Sequence, residues 1–443
     1  MDICQRKNCF GGQLLKQRLL EEQSSDFLAG LFWDRESSLL YFYDLKLLRW
    51  RCFCLSLQLF TERVRTQSMS RLLLMRLLTV TALSPPILFA AEKEPAIQHV
   101  VIEPATNETP RSDTASVAQL PDDQLLVVYH KYENGKRSGH DHGICRIWSK
   151  VSDDDGKTWQ QPRMLVDVGK GDMNVQAPAL LRTKSGGLLL ISLRAHPDGN
   201  SSTMCLFESV NGGKSFKPRD PLWTRSNGQL LQGGTSCLLE LKSGRLLLPY
   251  HGGVGSQWKQ KNSAWCLFSD DGGQTWKRSE PIDLPKRGAM EASVAQFDDE
   301  TLLMSLRTQL GGPFLSRSAD EGKTWTQPVF SGLEGGESGT CLRRLPGSND
   351  VVLFFNNSKY NPDHHHFGER TPLTCARSSD QGMTWKIIGN IAADPAAEYT
   401  NLDCFFTVRG DAILTYMYAK PAWNRDKIQL NAALIPRRWF DGS

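Results

Sequence analysis

The residues of this 443-residue chain that could do chemistry stand far apart. Asp141 lies in SGHDHGICRIW (Ser138–Trp148), Glu291 and Arg307 bracket EASVAQFDDETLLMSLR, Arg370 opens RTPLTCARSSDQGMTW (Arg370–Trp385), and Tyr399 sits in EYTNLDCFF (Glu398–Phe406). Carboxyl groups of this kind move protons, and arginine forks hold anions. Metal chemistry fits less well. DHHHFGER (Asp363–Arg370) is rich in histidine, but consecutive histidines alternate in direction, so the stretch reads as a loop shaping a pocket. Cys145, Cys205, Cys237, Cys266, Cys341, Cys375 and Cys404 are scattered without a C-x-x-C pair; they offer no zinc site and read as small buried strand residues.

Groups this dispersed act together only if the fold gathers them, and two interleaved repeats supply that fold. The first is S-x-D-x-G-x-T-W, found as SDDDGKTW (Ser152–Trp159), SDDGGQTW (Ser269–Trp276), SADEGKTW (Ser318–Trp325) and SSDQGMTW (Ser378–Trp385). SVNGGKSF (Ser209–Phe216) is a degenerate copy in which Asn211 and Phe216 replace Asp and Trp. In this turn the Asp accepts local backbone N–H bonds, the Gly takes φ > 0 and the Trp supplies apolar surface. The second repeat is an apolar hairpin: Ser116–His130, Ala179–Arg194, Cys237–His251, Glu291–Arg307, Cys341–Asn356 and Leu402–Tyr418. Each has β-branched and aliphatic residues at period two around turn formers. The first five are each followed by one of the Asp-containing turns. Six units of roughly sixty residues, each about four strands, predict a six-bladed β-propeller over residues 92–443, with the last strand closing the ring against the first blade. Function then belongs at the centre of one face, where the inner strands converge.

Composition excludes other classes. The chain is 40% hydrophobic and 23% charged, an ordinary globular balance. Residues 1–76 hold 12 Lys/Arg and 8 Asp/Glu, and subtracting these from 52 and 48 leaves equal numbers of each sign. A neutral main domain argues against a nucleic-acid partner, which needs a concentrated basic face.

The first ninety residues stand outside the repeats. MSRLLLMRLLTVTALSPPILFAA (Met69–Ala91) has Arg71 and Arg76 before an apolar run too short, and too broken by Pro85 and Pro86, to span a bilayer. It reads as a secretory signal peptide, which implies a secreted or periplasmic protein without stable membrane insertion. A signal works from the N-terminus, so translation is expected to start at Met69 or Met75, with residues 1–68 a non-native extension. The competing reading is a membrane-proximal N-terminal region. Sequons at Asn107, Asn200 and Asn356 matter only in a host that glycosylates.

The Asp-box repeats on a six-unit chain resemble the exo-α-sialidase (neuraminidase) family. Gly233–Gly253 is similar to its G-x-G…GRLvvP segment, Glu291–Arg307 to its N-E…R segment, Arg370–Trp385 to its R-x-x-L…Asp-box segment, and Glu398–Phe406 to its s-a-Y-s-x-L segment. The resemblance implies a retaining exo-sialidase without cofactor or metal, acting on sialylated glycans. A sialoside carries a carboxylate on its anomeric carbon, so a carboxylate nucleophile would meet like charge, and a tyrosine activated by a base avoids this. By resemblance Tyr399 is that nucleophile, Glu291 its base, and Asp141, 11 residues before Ser152, the acid/base, flanked by His140 and His142. Arg307 and Arg370 match two arginines of a carboxylate-binding triad. For the third, PRSDTASVAQLP (Pro110–Pro121) departs from the family's R-I-P: Asp113 stands near the arginine's place and Arg111 two residues earlier. Either Arg111 reaches in through a shifted strand, or the clamp is incomplete and the carboxylate is held more weakly, unless Arg194, which ends its own hairpin, compensates. The alternatives are a non-catalytic glycan-binding propeller and a glycosidase for another acidic sugar.

Overall fold

The computed structural model describes strands at residues 29–34, 39–44 and 49–51, and residues 96–442 apart from 136–140, 142, 198–200, 225–228, 234–236 and 255–260. The chain divides into two compact units, Met1–Ala90 and Ala91–Ser443. In the first, Ala29–Asp34, Leu39–Asp44 and Arg49–Arg51 form an antiparallel sheet. The signal-like stretch and its cysteine-bearing flank lie outside the described residues, as do His140, His142 and Asn200.

The second unit is nearly all β, and the six hairpins are its inner strand pairs. Unit 1 runs Arg111–Gln119, Leu125–Tyr132, Cys145–Ser152 and Arg163–Val166. Unit 4 is the plainest copy: Met290–Gln296, Leu302–Arg307, Phe314–Ser318 and Val329–Phe330 in consecutive antiparallel order. Unit 6 uses both parts of the chain. Glu398–Phe406, Ala412–Ala419 and Ile428–Ile435 take Gln98–Glu103 as their fourth, antiparallel strand, and Ile428 also bridges Arg111 of unit 1. The last strand therefore meets unit 1 only at its start, and the earliest strand of the unit supplies the outer edge. Glu103 on that edge accepts bonds from Lys131 Nζ (2.6 Å) and Tyr129 Oη (2.9 Å), tying it to unit 1.

Alternation in the hairpins gives way to burial on both faces in the second strands, because each sheet packs against the sheets before and after it. All of Leu125–Tyr132, Leu302–Arg307 and Val351–Asn356 is buried. Apolar cores fill the spaces between consecutive units: Val128 with Leu190 packs units 1 and 2, Met304 with Leu247 packs units 3 and 4, and Val127 with Leu430 packs units 6 and 1. Polar stitches join neighbouring first strands. Ser116 Oγ accepts from Leu180 N (3.1 Å), and Ser293 Oγ accepts from Leu342 N (3.0 Å). Arg343 spans several of these strands, donating to Ser293 Oγ, Asp403 and the Cys404 carbonyl.

The Asp-containing turns follow the third strands. In SADEGKTW, Ser318 Oγ donates to Asp320 Oδ1 (2.8 Å) and accepts from Gly322 N (2.9 Å), while Thr324 Oγ1 donates to Asp320 Oδ2 (2.6 Å). Gly322 has φ 83° and Trp325 packs beside it. The degenerate copy keeps the geometry: Ser209 Oγ donates to Asn211 Oδ1 and accepts from Gly213 N. Strand direction puts these turns and the hairpin tips at one end of every sheet. The starts of the first strands and the ends of the second strands converge at the other.

Candidate active site

That second end collects the charged residues. On unit 1, Arg111 begins the first strand and points its Nε at Asp113 Oδ2 (3.0 Å) and its Nη1 at Asp141 Oδ1 (2.7 Å), with its guanidinium 4.5 Å over the Tyr132 ring. Arg111 thus reaches inward despite its shifted place in sequence. Asp113 is fully buried among Arg111, His130 and Asn401, whose Nδ2 donates at 2.8 Å. Burial alone would raise its pKa, but Arg111 and His130 outweigh this and hold it far below the ordinary range. Asp141 sits on a loop whose carbonyls at 141 and 143 accept from Asn174 Nδ2. Its side chain keeps 33% exposure. Burial opposes ionisation there too, yet Arg111 lowers its pKa, so it is a carboxylate at neutral pH.

On unit 4, Glu291 and Arg307 close opposite ends of one hairpin, and Arg307 Nη1 donates to Glu291 Oε1 at 2.6 Å. Glu291 is a bulge residue with φ 38°, which turns its side chain out of the strand's alternation. Desolvation raises its pKa less than Arg307, His251 and Arg370 lower it. Behind them Glu337, 3% exposed, gathers Arg307 Nη2 (3.4 Å), Arg287 Nη1 (2.9 Å), Gln309 Nε2 (3.2 Å) and His366 Nδ1 (3.2 Å). The histidine-rich loop therefore contributes a wall: burial and nearby Arg370 keep His366 neutral, its pKa lowered to about 3, and its ring stacks on Trp423 at 5.3 Å. His364 pairs with Glu369 instead. No group of His, Cys, Asp and Glu among the described residues could hold a metal ion.

Units 5 and 6 add Arg370, whose guanidinium lies 5.2 Å over Trp423. Arg370 is buried, its side chain makes no hydrogen bond among the described residues, and its nearest carboxylate oxygen is Glu398 Oε2 at 3.8 Å. Burial and the neighbouring Arg307 lower its pKa to about 10, which leaves it charged. Glu398 is 1% exposed, with Arg425 Nη1 3.6 Å from Oε1 and no hydrogen bond to either carboxylate oxygen among the described residues.

Tyr399 departs from the expectation. Its ring belongs to the apolar core between units 5 and 6, against Tyr416 and Tyr418, and its hydroxyl accepts from the Asp394 amide at 3.2 Å. Burial raises its pKa, away from an activated phenolate. The reason is strand alternation: Glu398 faces the arginines, so its neighbour faces the core. Glu291 is occupied by Arg307, so the Tyr–Glu pair expected from the sequence is not assembled in this conformation.

Asp141, Glu291, Arg111, Arg307 and Arg370 do share one field. Arg370 acts on Glu291, Arg307 acts on Arg370, and Arg425 acts on both Arg370 and Asp141. Arg194 stands outside it, paired with Asp172 (3.2 Å) in a separate cleft with His196 and Thr203. Sequence reasoning missed Arg287, Glu337, Arg425, Trp423 and Glu398. Only Glu398 carried a signal, as the neighbour of a candidate within a quoted motif.

The model of the BNR repeat-like domain matches residues 123–403. Among solved structures the chain is similar to a protein of unknown function from Dyadobacter fermentans, with 21% identity, a TM-score of 0.59 and coverage of 77% of this chain and 100% of that one. It is also similar to the NanB sialidase from Streptococcus pneumoniae (15% identity, TM-score 0.57, 77% and 70% covered). The intramolecular trans-sialidase from Ruminococcus gnavus, in complex with oseltamivir carboxylate, matches at 14% identity and TM-score 0.60, with 76% and 97% covered. At these identities the likeness is one of fold.

Proposed function

The chain belongs to the BNR repeat-like domain family, with the fold of the sialidases, and from that premise we propose that it acts on glycans ending in sialic acid. The observation that carries this reading is Arg370: a buried, charged guanidinium at the convergent end of the sheets, without a hydrogen bond of its own among the described residues. A planar cation in that condition suits a bidentate carboxylate. Arg307 stands beside it. Arg111 supplies a third guanidinium once substrate competes with Asp141 for it, and the same competition lets Asp141 take up a proton more readily.

In this reading Asp141 donates a proton to the glycosidic oxygen as the anomeric C–O bond breaks. Tyr399 Oη forms the new bond to the anomeric carbon and passes its proton to Glu291; water, giving its proton to Asp141, then displaces Tyr399 Oη from that carbon, Glu291 returns the proton to the phenol, and configuration is retained. Tyr399 must first leave the Asp394 amide. The same reading has the Met69–Ala91 stretch direct the chain to the periplasm or the medium.

The orientation of Tyr399 favours a second reading, a glycan-binding propeller without turnover. Hydrolysis of a fluorogenic sialoside, paired with calorimetric binding of free sialic acid, separates the two. Turnover supports the enzyme, binding without turnover supports the second reading, and neither sinks both in favour of another acidic sugar.

A further inference from the structure

Among the described residues, four of the six first strands carry a bulge near the end that faces the site. The bulged residues Thr114, Ala177, Glu291 and Asn401 have φ of 38°, 52°, 38° and 53°, each at a register shift in its strand pair. A bulge takes a backbone N–H out of the ladder, and a non-glycine residue held at positive φ persists only where its surroundings fix it. In two units the acceptor for that N–H is a histidine from the second strand of the preceding unit. Ala177 N donates to His130 Nδ1 at 3.2 Å, and Glu291 N donates to His251 Nδ1 at 3.3 Å. Both histidines are buried. One device is therefore used twice, once beneath an alanine and once beneath a carboxylate of the candidate site.

We propose that His251 is a positioning residue for Glu291. It pins the bulge amide, and so the direction in which the Glu291 carboxylate leaves the strand toward Arg307, without touching substrate itself. The inference rests on Glu291 belonging to the site. An Nδ1 acceptor requires a neutral ring, and burial, opposed by Glu291 and aided by Arg307 and Arg287, lowers the His251 pKa to about 4. The acceptor lone pair is thus kept across the neutral range.

The test compares H251N, whose side-chain oxygen occupies the place of Nδ1, with H251Q, whose oxygen falls near Nε2, and with H251A. Steady-state kinetics on a fluorogenic sialoside are read beside the Glu291 amide resonance of protein labelled with 15N-glutamate. H251A and H251Q are expected to lower kcat roughly 10- to 100-fold with little change in KM, the scale of a misplaced reacting group. They should also move the Glu291 amide resonance, and H251N should restore both. Equal loss in all three variants, or an unmoved Glu291 amide in H251A, overturns the proposal. If H251A does not fold, the contrast between H251N and H251Q decides. If the wild type has no turnover, the enzyme reading fails by itself, and the amide resonance with the affinity for sialic acid still decides the role of His251.

Discussion

Glu398 and Tyr399 are consecutive on one strand and face opposite ways: the carboxylate lies between Arg370 and Arg425 at 3.8 and 3.6 Å, while the phenol hydroxyl rests on the Asp394 amide. If Tyr399 turns inward to serve as nucleophile, Y399F will abolish sialoside turnover and leave the thermal midpoint almost unchanged. The lost hydrogen bond is worth only about 1 kcal/mol. Full turnover by the variant, with or without a lower midpoint, assigns Tyr399 to the core alone.

Arg370 is expected to hold ligand, because its buried guanidinium has no hydrogen bond among the described residues and only the ion pair with Glu398 beside it. R370M should weaken sialic acid binding by about 1.5–3 kcal/mol, roughly 10- to 150-fold, and lower the midpoint as well, because it leaves the buried Glu398 with Arg425 alone. Calorimetry and a thermal melt measure the two. R370K should recover little of the affinity, since an ammonium cannot make the bidentate contact.

The Arg111–Asp141 pair sets a pH dependence. A nearby cation stabilises the carboxylate and lowers its pKa, so removing that cation raises it. A general acid works only while protonated, so its pKa marks the alkaline side of the profile. The alkaline limb of kcat/KM should therefore shift to higher pH in R111M, and an unchanged limb would remove Asp141 from the acid role.

Asp113 links stability to pH. Its pKa is depressed in the folded protein, so its contribution is complete above the ordinary aspartate value of about 4 and is lost as pH falls below that toward the folded value. Urea midpoints should drop below about pH 4 in the wild type and depend less on pH in D113N. At neutral pH D113N should cost about 1–3 kcal/mol, because Arg111 loses one of its two carboxylate partners and keeps Asp141.

The Asp boxes are expected to act on folding only. Ser318 Oγ satisfies Gly322 N and orders Asp320, far from the charged end of unit 4. S318A should lose about 1–2 kcal/mol in urea denaturation, with kcat and KM per folded molecule unchanged.

The sequence by itself determined the units. Hairpin alternation, turn chemistry and the box residues are local, so their spacing could be read before any contact was known. Glu291 and Arg307 were legible for the same reason, as opposite ends of one hairpin. What only the tertiary structure decided was which side chains face the centre. Side chains alternate along a strand with period two, and a single bulge reverses every assignment beyond it. Nothing in EYTNLDCFF states that Glu398 lies beside the arginines while the Tyr399 ring packs on Tyr416; that arrangement comes from the pairing of the strand with Ala412–Ala419 and from the core behind it. Glu337, Arg287 and Arg425 were hidden for a related reason. They sit on loops, where no periodicity marks a residue, and they gain partners only when units distant in sequence pack side by side.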